Sequence, residues 1–167
     1  MKINFDELLR SQREELFRFV KNFVPEGRVL DLGAGSGAFI ELLNKDTKYD
    51  AWGVDAVFES KNVKKIDMFK YLKSKKLRKL PKTVCALDVI EHLEPDQVSE
   101  LFSLISNKCE VFIATLPCPW FMDFWRNPYH KTVWFPEVLG KLAEANGFEW
   151  KVVFIPTGLK LDLRVNH

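Results

Sequence analysis

Apolar positions along the chain recur in two rhythms. From Asp6 to Val24 they fall at Leu8, Leu9, Leu16, Phe19, Val20 and Phe23, the three-to-four spacing of an amphipathic helix within an N-terminal segment of residues 1–26. "GRVLDLG" (27–33) is then a short apolar run that reads as a buried strand, and helical spacing resumes from Ser36 to Asn44. Strand patterns return in "YDAWGVDAV" (49–57), "NVKKIDM" (62–68), "KTVCALDVI" (82–90) and "CEVFIATLP" (109–117). Between them lie a basic helix from Phe69 to Leu80 and "PDQVSELFSLIS" (95–106), with proline near its start. "FPEVLGKLAEANGF" (135–148) is a helix stopped by Asn146-Gly147, and "EWKVVFIP" (149–156) and "LKLDLRV" (159–165) are two closing strands.

Strict alternation of this kind predicts a doubly wound, Rossmann-like α/β domain over residues 1–167, with helices on both faces of a mostly parallel sheet. Seven strands are expected. The few residues around Pro156-Thr157-Gly158 are too short for a helical crossover, so the last strand is expected to run antiparallel.

Composition narrows the class without naming a function. A length of 167 residues fits one domain, and 47% hydrophobic with 29% charged residues is an ordinary globular balance. The formal net charge of +2 disfavours a nucleic-acid partner, and the basic stretch "KYLKSKKLRKLPK" (70–82) lacks the interleaved aromatics of a nucleic-acid surface. No apolar run reaches the roughly 18 residues of a membrane span, and the N-terminus lacks a signal-peptide pattern. Cys85, Cys109 and Cys118 are odd in number and lack metal-type spacing, which points to reduced thiols and a cytoplasmic location.

The chemistry starts at "VLDLGAGSGAF" (29–39), where three glycines crowd the turn after the first strand. In open parallel sheets ligands bind beyond the carboxyl ends of the strands, where glycine lets backbone amides approach a nucleotide closely. Gly33, Gly35 and Ala38 formally satisfy the dinucleotide spacing, whereas Asp31, Gly33, Gly35 and Gly37 satisfy the acid-then-glycines pattern of S-adenosylmethionine sites. Charge separates the two. An acid at the strand end repels a pyrophosphate but attracts a sulfonium or an ammonium group, so Asp31 favours S-adenosylmethionine.

In sequence the chain resembles the class I S-adenosylmethionine-dependent methyltransferases, particularly the small type 11 and type 12 group. "VLDLGAGSGAF" and "WGVDAV" are similar to the family's first two motifs, "KKIDMF" to the third, "ALDVIEHL" to the fourth-strand motif and "HKTVWFPEVLGKLAEANGFE" to its late segment. The resemblance implies that S-adenosylmethionine is the cofactor. It implies that Asp31, Gly33, Ala34, Gly35 and Gly37 form its turn, with Asp55 and the neighbouring Ala56 at the ribose. It further implies Asp67 and Met68 at the adenine, and Leu87, Asp88 and Val89 at the methionine end. Read from the residues alone, Asp67 can equally cap the following helix.

The acceptor is less defined. The fourth strand lacks the Asn/Asp/Ser-Pro-Pro-Tyr/Phe motif of amino-group methylation and the Pro-Cys pair of cytosine C5 methylation, and Cys118 reads as a loop thiol. A small-molecule or lipid-linked acceptor and O-methylation are expected, with protein, RNA or a non-catalytic partner subunit as alternatives. The aromatic-rich residues 118–135 are the expected acceptor loop, and His130 or His92 the expected general base. Asp88, Glu91 and His92 raise a divalent metal, but no further ligand is visible in the sequence. No metal is therefore expected, and Glu91 and His92 are read as bonding to neighbouring backbone.

Overall fold

In the computed structural model the described residues are 5–74, 79–106, 108–117, 127–155 and 160–166. Among them seven strands form one sheet: β1 (Gly27–Leu32), β2 (Tyr49–Asp55), β3 (Val63–Lys65), β4 (Thr83–Leu87), β5 (Val111–Pro117), β6 (Glu149–Ile155) and β7 (Lys160–Asn166). Their order is β3-β2-β1-β4-β5-β7-β6. The first five pair parallel, while β7 inserts antiparallel between β5 and β6. The helices are α1 (Phe5–Lys21), α2 (Ala38–Asn44), α3 (Met68–Leu72), α4 (Pro95–Ile105) and α5 (Pro136–Ala145). No described helix is long and apolar enough to cross a membrane.

The central strands are apolar on both sides because both sides are covered. Val29, Ala51, Cys85 and Ile113 face α1 and α2, where Leu16, Val20, Phe39, Ile40 and Leu43 meet them. The alternate residues Leu30, Leu32, Val84, Ala86 and Phe112 face the other layer. There α4 presents Val98, Leu101, Phe102 and Ile105, at the i, i+3, i+4, i+7 spacing of a single helix stripe. Helix α4 opens on a capping box between Glu94 and Gln97, with Pro95 in the first turn.

Three element boundaries depart from the hydrophobic pattern, each for a local reason. Helix α2 starts at Ala38 rather than Ser36, because Gly37 has φ 94°, outside the helical region. The expected helix through Leu80 ends at Leu72. Leu80 is buried in the same core as Leu72, and a residue preceding proline, here Pro81, is disfavoured in helical geometry. Strand β4 stops at Leu87 because Asp88 has φ 56°, a left-handed conformation that turns the chain into a 3₁₀ turn over Ile90–His92.

Helix α5 lies close on β6, and Gly140 makes that approach possible. A β-carbon there would sit 2.3 Å from Trp150 Cε2, and the ring is held by its Nε1–H donating to Glu144 Oε1 at 2.7 Å. Gly140→Ala should therefore lower stability by about 1–3 kcal/mol through overpacking, against roughly 1 kcal/mol gained from helix propensity. A urea midpoint at or above wild type would show that Trp150 yields without cost.

Candidate active site

The carboxyl end of the sheet gathers three turns: after β1, after β2 and after β4. The turn after β1 lies flat on β2, with the N–H groups of Gly33 and Ala34 donating to the Val54 carbonyl at 2.9 and 3.1 Å. It can do so because β2 carries Gly53, where a β-carbon would meet Ala34 Cβ at 2.5 Å and Ile40 Cδ1 at 2.7 Å. From the other side Val89 presses onto Gly33, whose φ is +70° and whose added β-carbon would lie 2.6 Å from Val89 Cγ2. A side chain at Gly33 is excluded twice, by backbone conformation and by Val89.

Asp55, at the end of β2, ties two of these turns together. Its Oδ2 accepts the Gly35 N–H at 2.9 Å, and its Oδ1 accepts from the N–H groups of Val57 and Phe58 at 2.8 and 2.9 Å. Ala56, Val57 and Phe58 then stand exposed beside it, Val57 and Phe58 by 68% and 51%. An apolar pair so open to water next to a carboxylate is an edge that a flat apolar ligand group can cover.

Asp31 occupies the floor. It points to the α1–α2 side of the sheet and is buried, and its Oδ1 has no hydrogen-bond partner among the described residues. Burial, with the Asp55 charge second, pushes its carboxyl up to about 8. At neutral pH the acid is thus mostly protonated, and a cationic group beside it would reverse that.

The remaining expected residues divide. Asp67 is exposed and caps α3, its Oδ1 accepting the Lys70 N–H at 2.9 Å, while Met68 is buried in the core beneath that helix. Leu87 is buried on the α1–α2 side. Asp88 is held in its strained conformation by Thr115, whose Oγ1 donates to Asp88 Oδ1 at 2.9 Å and accepts the Asp88 N–H at 3.0 Å.

His92 and His130 lie 37 and more residues apart in contact terms yet meet, with ring centroids 5.1 Å apart and tilted by 57°. Backbone bonds bring them together. The N–H groups of Lys131 and Thr132 donate to the Glu91 carbonyl at 2.8 and 3.3 Å, and Thr132 Oγ1 donates to the Leu93 carbonyl at 3.0 Å. His92 Nδ1 sits 2.9 Å from the Tyr129 carbonyl, which can only accept, so that nitrogen carries the hydrogen and Nε2 the lone pair. His130 Nε2 sits 2.9 Å from Asn127 Nδ2, in an amide oriented by the Tyr129 N–H donating to Asn127 Oδ1 at 3.0 Å. Of the expected loop 118–135, residues 127–135 are described; 118–126, with Cys118, lie outside the described residues. Buried Cys109 is no candidate nucleophile, since burial pushes its thiol up to about 12.

Sequence reasoning passed over Gly53, Thr115 and the Asn127–Tyr129 pair. Gly53 carried a signal, a glycine inside an apolar strand, which marks a close backbone approach. Thr115 carried a weaker one, a polar residue in the otherwise apolar "FIATL".

A family model described as a methyltransferase domain matches residues 6–151, and the chain belongs to that family. Its fold is that of a crystal structure of an S-adenosylmethionine-dependent methyltransferase from Archaeoglobus fulgidus, at 25% identity and TM-score 0.81 over 98% of each chain. The methyltransferase domain of bacterial CtHen1-CN is similar at 17% identity and TM-score 0.70, covering 95% of this chain and 100% of that one. The O-methyltransferase NcsB1, solved with S-adenosylmethionine and 2-hydroxy-5-methyl naphthoic acid, is similar at 13% identity and TM-score 0.64, over 84% of this chain and 48% of that one. A search of curated proteins returns no match. The protein is a class I, Rossmann-like methyltransferase, an enzyme whose cofactor is S-adenosylmethionine.

The residues fit that cofactor. The orphaned buried oxygen of Asp31 answers a cationic donor, and the bare Gly33 turn leaves room for close approach. Asp31 also yields a test without ligand. Between pH 3.8 and about 8 the folded protein keeps a proton that the unfolded chain has lost, so stability falls as pH rises through that window. Asp31→Asn does not titrate. Its melting temperature relative to wild type, in cofactor-free protein, should therefore climb from pH 5 to pH 8; a constant difference would mean Asp31 is ionised at ordinary pH.

Proposed function

We propose that this methyltransferase transfers the methyl group to a hydroxyl oxygen of a small-molecule or lipid-linked acceptor, using one domain that spans the chain. The observation that carries the reading is the convergence of the Asp31–Gly33 turn with the His92–His130 pair, joined through Val89. In this reading Asp31, Gly33, Ala34, Gly35 and Gly37 hold the amino-acid end of the cofactor, with Leu87 and Asp88 beside them. Asp55, which has acceptor capacity beyond its backbone bonds, takes the ribose hydroxyls, and Ala56 with Asp67–Met68 borders the adenine.

Bound S-adenosylmethionine supplies a methyl group already activated by its sulfonium, the S–CH₃ bond breaking as the O–CH₃ bond forms. What the chain adds is alignment and exclusion of water. The lone pair on His92 Nε2, fixed by the bond from Nδ1 to the Tyr129 carbonyl, can take the hydroxyl proton. His130 is the neighbouring candidate. Residues 118–135 form the acceptor side, contributing His130 and the exposed Tyr129 and Phe135.

A second reading, RNA as acceptor, has one point in its favour: similarity to the small RNA methyltransferase HEN1, at 21% identity and TM-score 0.68. Both readings deliver the methyl to oxygen, and transfer from labelled S-adenosylmethionine to a metabolite and lipid extract or to small RNA separates them. Label recovered only in RNA would replace the first reading with the second.

Two variants test the roles. Asp55→Ala should weaken S-adenosylhomocysteine binding at least about tenfold, from the loss of charge-assisted bonds of about 1.5–3 kcal/mol. Unchanged affinity by calorimetry would remove Asp55 from the ribose. His92→Ala and His130→Ala should each leave that affinity near wild type and slow single-turnover transfer by about a hundredfold, the lower range for a general base. A wild-type rate in both would assign the pair to loop structure.

A further inference from the structure

Glu91, His92 and His130 do more than meet. One carboxylate oxygen of Glu91 and one ring nitrogen of each histidine lie within 4.8 Å of one another. We propose that these three side chains bind a single divalent cation of the manganese-to-zinc series, on the acceptor side of the cofactor turn.

The donor set selects the ion class. Two imidazole nitrogens and one carboxylate suit borderline transition cations, whereas calcium and magnesium favour all-oxygen surroundings. Three protein ligands also leave coordination positions open, the arrangement of catalytic rather than structural sites. Ligand bonds of about 2.0–2.2 Å require donor atoms roughly 3–3.5 Å apart, so the three must draw together by about 1.5 Å at most. That is within reach of side-chain rotation.

The surroundings have the features of a built site. Glu91 is 2% exposed, and a carboxylate carried so deep needs a positive partner or a proton. His92 donates its Nδ1–H to the Tyr129 carbonyl, which fixes the tautomer with its lone pair on Nε2, as ligating histidines are commonly held. Asn127, itself oriented by the Tyr129 N–H, holds the His130 ring at Nε2. The backbone bonds from Lys131 and Thr132 to the Glu91 carbonyl then lock the two contributing segments in register.

The site's service to the acceptor rests on the O-methylation reading above; the ion's binding does not. Val89, which contacts the Gly33 turn, is two residues from Glu91, so an ion here lies on the same turn that closes the cofactor site. A hydroxyl in an open coordination position has its pKa lowered, and its proton leaves to solvent before or as the oxygen accepts the methyl group. The two histidines then act as ligands instead of as the base.

The test uses the full chain freed of metal with a chelator and titrated with Co²⁺, which reports its ligands through visible absorption, and with Mg²⁺ for contrast. Expected is saturable one-to-one Co²⁺ binding with new visible bands, and markedly weaker Mg²⁺ binding. Glu91→Gln, His92→Gln and His130→Gln should each weaken Co²⁺ binding at least about tenfold. Because Glu91 is buried and its variant can unfold, the two histidine variants decide the matter by themselves, with circular dichroism as the check on folding. Absence of Co²⁺ binding to folded wild type, or unchanged binding in both histidine variants, overturns the proposal. S-adenosylhomocysteine binding on the same samples reports the cofactor reading separately, since its loss in wild type would count against that reading while the cobalt bands still decide this one.

Discussion

The carboxyl end of the sheet is organised by a steric constraint: where the β1 turn crosses β2 and meets the β4 turn, there is no room for a β-carbon. Gly53 lets Ala34 and Ile40 rest on β2, and Gly33 lets Val89 press in from the opposite side. Because the three turns are in contact, the groups they carry are placed relative to one another with little freedom. Asp55 reaches the Gly35 amide, Asp31 lies sealed beneath, and the chain past Val89 delivers Glu91 and His92. A methyl group on either glycine would separate these turns before it changed any catalytic side chain.

Electrostatics at this junction run against stability and in favour of a ligand. Asp31 is a carboxyl in a dry site with an acid as its charged neighbour, and it answers by holding its proton. Asp88 keeps a left-handed backbone that only its bonds with Thr115 sustain. Such local costs concentrate where a protein binds and reacts, and the sheet offsets them through two apolar layers that fill both of its faces.

The segment after β5 contributes to the site by a different route. Residues 127–132 are not part of the sheet. They are stitched to the 3₁₀ turn by backbone bonds to Glu91 and by Thr132 to Leu93, with the Trp134 Nε1–H donating in turn to Thr132 at 2.6 Å. The acceptor side therefore depends on hydrogen bonds between two short loops, while the cofactor side depends on close packing of strands. Specificity can change in the first without disturbing the second.

By itself, the sequence determined the alternation of strands and helices, the α/β layering with parallel pairing, and the glycine turn with its acid at the strand end. Each of these is local: periodicity reports burial within one element, and Asp31 with its glycines lies within a single turn. The strand insertion of β7 between β5 and β6, the early stop of α3 and the left-handed Asp88 were decided by tertiary packing, because each answers to a neighbour distant in sequence. The same holds for Asp55, whose carboxylate was legible as a candidate but whose bonds to the two turns were not. His92 and His130 show the limit most directly. Their chemistry could be listed residue by residue, but a nitrogen becomes a base or a ligand only through what stands across from it. Here that is set by bonds between segments about 40 residues apart, which no spacing along the chain encodes.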